Sequence, residues 1–195
     1  MSEGREDTTG PQRPEFGGSK GGRRPLGRAM SEALPFDPIA EAHRQWTAHG
    51  WGDVADGMAA VTSLMRAQAI VQQRVDTELR PFDLTFARYE ILMLLMFSRT
   101  GQMPLAAIGR RLQVHPTSVT SAVDRLEAQG FVVREAHPTD RRAKLARLTE
   151  EGGAVAKSAT AQLNATVFAD PGLQDGDGQA LVAVLGRMRA AAGDF

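Results

Sequence analysis

Two short helical patterns joined by only three residues are the feature that most constrains the fold of this 195-residue chain. Pro104 and Pro116 each suit the first turn of a helix, where the missing N–H of proline costs no hydrogen bond. The tripeptide QVH separates the two patterns, and Gly130 follows the second as a C-cap. The spacing predicts that both helices turn the following residues inward: Leu105, Ile108, Leu112, Val119, Val123 and Leu126. Such a pair predicts a helix-turn-helix.

Two runs typical of β-strands come directly after this pair. FVVRE and AKLARL lie on either side of residues 137–142. The pattern predicts a β-hairpin with a loop of about six residues, which is a wing rather than a two-residue turn. Thr149 then has the side chain of a helix N-cap, and Glu150 and Glu151 favour the positive end of the helix dipole.

Long helices are predicted on both sides of this unit. A short helix starts near Pro38, and a second, capped by Asp53, runs to Leu79 before Pro81 stops it. Thr85 opens an apolar central helix that ends at Gly101. A further helix runs from Thr149 to about Phe168, and residues 179–192 form the last. In the second helix the following residues have 4-3-4 spacing on one of two apolar faces: Val54, Met58, Val61 and Met65. A second apolar face indicates a partner chain.

The predicted fold is therefore mainly α with a small β-wing, a winged helix-turn-helix flanked by N- and C-terminal dimerisation helices. We expect a flexible, basic, Gly/Pro-rich tail over 1–37, dimerisation helices over 38–80 and 150–195, and the winged domain over 81–149. Seven glycines and four prolines within residues 1–37 support the first boundary.

Composition excludes several classes of protein, and the charged residues are distributed unevenly along the chain. The chain has no cysteine, which excludes disulfides and thiolate metal sites. The lack of a secretory signal pattern and of a long apolar run favours a cytoplasmic protein with no membrane partner. The net charge of the chain is zero, but residues 110–147 contain eight Lys and Arg and four Asp and Glu, a net charge of +4. A neutral chain with one basic patch meets nucleic acid through that patch.

The second helix of the pair is predicted to read DNA. With one side buried, its exposed side carries Pro116, Thr117, Ser118, Thr120 and Ser121, with Arg125 further along. Short hydroxyls allow a helix to lie close to base edges, and threonine methyls contact thymine methyls. For Arg125, a DNA contact and an ion pair with Asp124 or Glu127 are equal alternatives.

The wing and the first helix supply the predicted cationic contacts. An arginine on a narrow loop can enter the minor groove, and Arg141 and Arg142 lie at the tip. Asp140 would repel phosphate there, so a salt bridge to Arg142 is its expected role, which leaves Arg141 to probe the groove; the roles of the two arginines could also be exchanged. The following residues are expected to contact phosphates: Lys144, Arg110 and Arg111.

From about Leu84 to Gly152 the chain resembles the multiple-antibiotic-resistance regulator (MarR) family. The motifs HPTSVT, RLEAQG, DRR and LTEEG occur in the family's order. The resemblance implies homodimers that bind palindromic operators in double-stranded DNA, mostly as repressors. It also implies that the DNA is released when a small aromatic or acidic ligand occupies a cleft between the dimerisation helices and the winged domain. The family often doubles its Asp-x-Arg wing motif, but His137 and Thr139 fill the first copy here.

The resemblance places three residues in a ligand pocket: Trp46, Glu90 and Arg134. Ala122 stands where urate-responsive relatives have a further arginine, which argues against an anionic purine. Packing across the dimer is the preferred role of Trp46. We predict no metal site and no cofactor: His43 and His49 do not share a helix face, and the DGDG sequence at 175–178 lacks the glutamate of a calcium loop.

Two classes of function compete. The first is a ligand-responsive transcriptional regulator, and the second is a winged-helix DNA-binding or protein-interaction module with no small-molecule effector. The sequence contains no nucleophile–base pair and no phosphate-binding loop, so we predict that the chain is not an enzyme.

Overall fold

The computed structural model describes residues 34–137, 139 and 143–195. Nearly all of the predicted tail therefore lies outside the described residues. The helices are α1 (Pro38–Ala48), α2 (Gly52–Leu79), α3 (Phe86–Phe97), α4 (Leu105–Leu112), α5 (Pro116–Ala128), α6 (Glu150–Leu163) and α7 (Asp177–Ala191). The strands are β1 (Gln102–Pro104), β2 (Val132–Ala136) and β3 (Lys144–Leu148). A 3-10 turn (Arg80–Phe82) follows α2, and a π-helical turn (Asn164–Phe168) extends α6.

Two of the predicted helix N-caps are confirmed and one is wrong. Thr85 accepts a hydrogen bond from the backbone N–H of Arg88, and Thr149 accepts one from the N–H of Gly152. Asp53 does not cap α2, because the helix begins one residue earlier and Trp51, which makes no side-chain cap, precedes it. Asp53 instead lies in the first turn, where its charge still favours the helix dipole.

The sheet has one strand more than the sequence predicts. The hairpin of β2 and β3 is confirmed, but β1 pairs antiparallel with β3, and the strand order is β1-β3-β2. Pro104 ends β1 with φ −61° and ψ 138° and precedes α4, so its expected place inside the first turn of α4 is wrong. The pairing of Gln102 with Arg147 ties the start of the helix-turn-helix to the wing.

One core joins the winged unit to the flanking helices. It is built from α3, α5, α6, the sheet and the C-terminal end of α2, where Val75 and Leu79 are buried. All three residues predicted as the buried face of α5 are buried: Val119, Val123 and Leu126. The start of α6 is pressed against the backbone of Phe131, since a Cβ on Gly152 would lie 2.1 Å from the Phe131 carbonyl oxygen.

The outer helices leave apolar surface uncovered. The predicted stripe on α2 is largely exposed, with Val54, Val61 and Met65 each more than half accessible. In α7 no residue is buried, and the exposed apolar residues include Leu181, Val184 and Met188. Within the part of the chain that the structure describes, no helix combines the length and apolar character needed to cross a membrane.

Candidate nucleic-acid interface

Helix α5 presents a polar face of short side chains. Every residue predicted for base contact is exposed: Pro116, Thr117, Ser118, Thr120, Ser121 and Arg125. His115 caps the helix, because its Nδ1 accepts a hydrogen bond from the Thr117 N–H at 3.2 Å. The Thr120 hydroxyl donates to the Pro116 carbonyl at 3.1 Å. Among the described residues, the hydroxyls of Thr117, Ser118 and Ser121 make no hydrogen bond, so they are available to a ligand.

Arg134 braces α5 against the root of the wing. Its Nη2 lies 2.5 Å from Asp124 Oδ1 and donates to the Thr120 carbonyl at 3.0 Å. Its backbone N–H donates to Glu127 Oε1 at 3.0 Å, while its Nε is buried and lies 3.6 Å from Glu127 Oε2, too far for a hydrogen bond. Two carboxylates of α5 thus hold the guanidinium on β2.

This brace argues against the ion-pair alternative for Arg125. The acids that could have paired with it, Asp124 and Glu127, face Arg134 instead. No ion pair of the described residues includes Arg125, whose side chain is exposed on the same helix as the free hydroxyls. The positive charge of Arg125 is therefore available for an outside partner.

The wing extends from this brace as a short hairpin. Arg147 Nε lies 2.5 Å from Glu135 Oε1 across the two strands, and the His137 N–H donates to the Ala143 carbonyl at the base of the loop. Lys144 is exposed at the start of β3. The predicted wing residues Asp140, Arg141 and Arg142, including the proposed salt bridge, lie outside the described residues.

The two arginines of α4 lie in its last turn, where positive charge also stabilises the helix dipole. Both are exposed, and Arg111 Nη1 contacts the sulfur of Met103 at 3.6 Å. Arg110 makes no ion pair among the described residues. Arg110 and Arg111 therefore each place a positive charge at the surface, next to the turn between α4 and α5.

The three residues predicted for a ligand pocket lie on three different elements and make no hydrogen bond, ion pair or ring contact with one another in the described part of the chain. Trp46 on α1 packs edge-on against Trp51, with ring centroids 5.3 Å apart. Glu90 on α3 is half-buried, and desolvation raises the pKa of its carboxyl above the ordinary value of 4.5. Arg134 is held by α5. Neither the cleft between α1 and α2 nor the one beside α5 is lined by any of the three.

A different cleft, of about 800 Å³, lies between the start of α3 and the exposed face of α5. Its lining includes two cations, one acid and three hydroxyls of α5: Arg88, Arg125, Asp83, Thr117, Ser118 and Ser121. Arg88 Nη1 donates to Gln129 Oε1 at 3.1 Å. The sequence analysis missed Asp83, Arg88 and Gln129. Gln129 lies 41 residues after Arg88 and 46 residues after Asp83, so no local motif indicates that the three are in contact.

The histidines of the outer helices have ordinary partners. His43 Nε2 lies 2.8 Å from Asp56 Oδ1, and His49 Nδ1 lies 2.7 Å from the Gln45 carbonyl oxygen. In the described ranges, no group of three or more His, Cys, Asp or Glu is placed to hold a metal ion.

Comparisons with known proteins agree on one family. The family model described as "MarR family" matches residues 82–143. The chain is 45% identical to Sco5413, a MarR family transcriptional regulator from Streptomyces coelicolor. The match covers 72% of this chain and 97% of that one, with a TM-score of 0.66. It is 32% identical over 102 residues to the HTH-type transcriptional repressor Rv2887 of Mycobacterium tuberculosis, or 52% of this chain and 72% of that protein.

A third relative was solved with a ligand. The structure of CouR from Rhodococcus jostii RHA1 bound to p-coumaroyl-CoA matches at 29% identity over 66% of this chain and 85% of that one, with a TM-score of 0.51. Three curated HTH-type regulators of Bacillus subtilis match over only 37% to 60% of their own length. The relatives are transcriptional regulators rather than enzymes.

Proposed function

The chain belongs to the MarR family of transcriptional regulators, and we propose that it acts as a homodimer that represses its target by binding a palindromic operator and leaves the DNA when a small acidic or aromatic ligand binds. The observation that carries this proposal is the exposed face of α5. There unpaired hydroxyls and an unpaired arginine lie on a helix whose opposite side is fixed in the core.

The chemistry of that face suits the major groove. Thr117, Ser118 and Ser121 are short enough to let the helix approach base edges, and their hydroxyls both donate and accept. The backbone N–H groups in the first turn of α5 already donate to His115, so phosphate contacts at this end of the helix would come from side chains. Pro116 and Thr120 complete the exposed surface near that turn. Arg125, one turn further, would contact guanine or phosphate.

Cations around α5 complete the proposed interface. Arg110, Arg111 and Lys144 are exposed and would neutralise phosphates without reading sequence. For the wing, the proposal rests on sequence alone: Asp140 pairs with Arg142, and Arg141 enters the minor groove. Arg134, in contrast, acts on DNA only through α5, whose orientation it fixes.

The proposed dimer rests on apolar surface that one chain leaves uncovered. Residues 38–80 and 150–195 are assigned to dimerisation, and residues 81–149 to DNA binding. Leu181, Val184 and Met188 lie at spacings of three and four on one side of α7, so a partner can cover all three at once. An isolated helix of 15 residues is marginal in water, so packing against a second chain would hold α7 in place.

The proposed ligand site is the cleft beside α5. Arg88 and Arg125 outnumber Asp83 there, which favours a carboxylate or another anion. Three hydroxyl residues of the cleft wall belong to the proposed DNA face, so ligand and operator would exclude each other. This linkage is the basis for release. The p-coumaroyl-CoA bound by CouR, an acidic molecule with an aromatic group, supports a ligand of this class.

DNA binding is tested by selecting an operator from random duplexes and measuring affinity by fluorescence anisotropy over a range of salt. Replacing Arg141 and Arg142 together by alanine is expected to abolish specific binding. Arg110→Ala and Lys144→Ala should each reduce the salt slope by about one phosphate contact. Lys157→Ala, an exposed cation on α6, is the matched control and should change neither quantity. Retained binding in the double variant would contradict the wing assignment.

Ligand release is tested with a thermal-shift screen of small aromatic acids, repeated in the presence of the operator. A ligand of the proposed site should stabilise the free protein and displace DNA, and Arg88→Ala should weaken both effects together. A screen with no hit, or a ligand that leaves DNA binding unchanged, would favour the alternative function, a winged-helix module without a small-molecule effector.

A further inference from the structure

A single glutamine side chain ties the end of α5 to the corner between α2 and α3. Gln129 Nε2 donates to the backbone carbonyl of Asp83 at 2.9 Å and to Asp83 Oδ2 at 2.8 Å. Gln129 Oε1 accepts from Arg88 Nη1 at 3.1 Å. The amide group thus makes three hydrogen bonds to residues more than 40 positions earlier in the chain. Together, Gln129, Asp83 and Arg88 form what we call the corner clamp.

Both ends of the corner clamp are fixed locally. Asp83 has the left-handed backbone conformation, with φ 50° and ψ 40°, and its N–H donates to the Arg80 carbonyl at 3.0 Å. Leu84 N–H donates back to the Leu79 carbonyl at the end of α2. Gln129, rather than the predicted Gly130, is the C-cap of α5, with its N–H bonded to the Arg125 carbonyl at 3.0 Å. A shift at either end therefore reaches the other through a short path.

The corner clamp also lies where two functional regions meet. Helix α2 carries the exposed apolar stripe assigned to the dimer, and it ends at the corner. Helix α5 carries the proposed DNA face. The residues that α2 contributes to the shared core, Val75 and Leu79, lie at its C-terminal end, so the polar bonds at this corner act together with that packing in setting the angle.

We propose that Gln129 is a positioning residue that holds the recognition helix at a fixed angle to the dimerisation helices, and so sets the spacing of the two operator half-sites. The inference rests on the proposed function, because spacing has meaning only for a dimer on a palindrome. Insertion of one base pair moves a half-site about 3.4 Å along the duplex and about 35° around it. A rigid corner clamp makes the dimer sensitive to that change, and a broken one makes it tolerant.

The test compares operators whose half-sites are separated by the selected spacing and by one base pair more or less. The variant is Gln129→Met, which keeps the length and helix propensity of the side chain but removes its donors and acceptor. Wild-type protein is expected to bind the altered spacings at least about tenfold more weakly. In the variant, that ratio should fall to about threefold, with less than about tenfold loss at the selected spacing.

The matched control is Gln162→Met. Gln162 on α6 donates to Glu78 Oε2 on α2 at 2.6 Å, so this change also removes a long-range glutamine hydrogen bond, but one that does not involve α5. The control should keep the wild-type spacing ratio. An unchanged ratio in Gln129→Met, or an equal loss of affinity at every spacing, overturns the proposal, since a merely stabilising residue would give that result.

A second measurement needs no DNA. Because the chain has no cysteine, Ala128→Cys introduces one spin-label site at the exposed end of α5. Pulsed electron resonance then gives the distance between the two recognition helices of a dimer. The distribution should broaden in Gln129→Met and stay narrow in Gln162→Met, and equal widths would overturn the proposal. A dimer that has a narrow distance distribution but binds no duplex would refute the proposed function alone. A monomeric protein would refute both the proposed function and the proposed role of Gln129.

Discussion

Helices α5 and α7 are of similar length, 13 and 15 residues, but they differ in how far a single chain buries their apolar side chains. In α5, Val119, Val123 and Leu126 are at most 1% exposed. In α7 no residue is buried, and Val182 remains 71% exposed. The first helix is specified by its own chain. The apolar side of the second is left uncovered by the described part of the chain.

The difference separates two sources of stability. Burying a large aliphatic side chain stabilises a fold by about 1.5–3 kcal/mol, and α5 gains this within one chain. In the proposed dimer the apolar side of α7 would gain it on association, and its contribution would then depend on protein concentration. The recognition helix can thus stay rigid while the assembly around it forms or dissociates. Each of the following predictions tests this contrast.

The largest expected effect is in α5. Leu126→Ala leaves a cavity at a fully buried position and should lower the free energy of unfolding by about 2–5 kcal/mol. Leu181→Ala removes the same atoms from α7, where the side chain is 42% exposed, and should cost about 1 kcal/mol or less in dilute protein. Urea denaturation at several protein concentrations measures both. The contrast fails if the two substitutions cost the same at every concentration.

Gly152→Ala should be the next most damaging. The added Cβ would lie 2.1 Å from the carbonyl oxygen of Phe131, and a backbone atom has little room to move. We expect a loss of about 1–3 kcal/mol in the free energy of unfolding. The neighbouring Gly153→Ala is the matched control, since its Cβ would meet only the Leu148 side chain at 3.8 Å. It should be neutral or stabilising by up to about 1 kcal/mol. Equal losses would show that helix α6 is not wedged against Phe131.

The sequence predicted the features that depend on neighbours in the chain. The spacing of Val119, Val123 and Leu126 follows helix geometry, and Thr149 needs only the next three residues to act as a cap. Strand β1 was missed because three residues ending in proline carry no alternation, and only pairing with β3 makes them a strand.

The polar contacts of the candidate site were harder to predict than its exposed face. The hydroxyl face of α5 follows directly from which residues are buried. Whether Arg125 or Arg134 would pair with Asp124 depends on the position of β2, and the bond from Gln129 to Asp83 depends on how α5 packs beside the α2–α3 corner. Both require the tertiary fold, which no local pattern contains.

A charge on the apolar side of α7 should act on assembly rather than on folding. Val184→Glu would place an unpaired carboxylate in the proposed dimer contact and should weaken dimerisation about tenfold to hundredfold. Ala183→Glu adds the same charge about 100° around the helix and should have little effect. Light scattering and analytical ultracentrifugation measure the change. Equal dissociation constants for both variants would show that this side of α7 does not meet a partner.

The smallest effect concerns Glu90, a half-buried carboxyl on α3. Desolvation raises its pKa in the folded protein above the value of 4.5 that it has in the unfolded chain. Between these two pKa values the folded state binds more protons, so stability decreases as pH rises through this interval. At pH values above this interval, Glu90→Gln should therefore raise the melting temperature slightly. Within the interval, it should make stability less dependent on pH.

Measuring the melting temperature of Glu90→Gln in the background of Val184→Glu relates Glu90 to the contrast between α5 and α7. If the chain's own packing desolvates Glu90, the gain from Glu90→Gln should be equal in the dimeric protein and in the dissociated variant. A gain that disappears on dissociation would mean that a second chain covers α3. The boundary between surface buried within one chain and surface buried on association would then lie inside the winged unit rather than at its flanks.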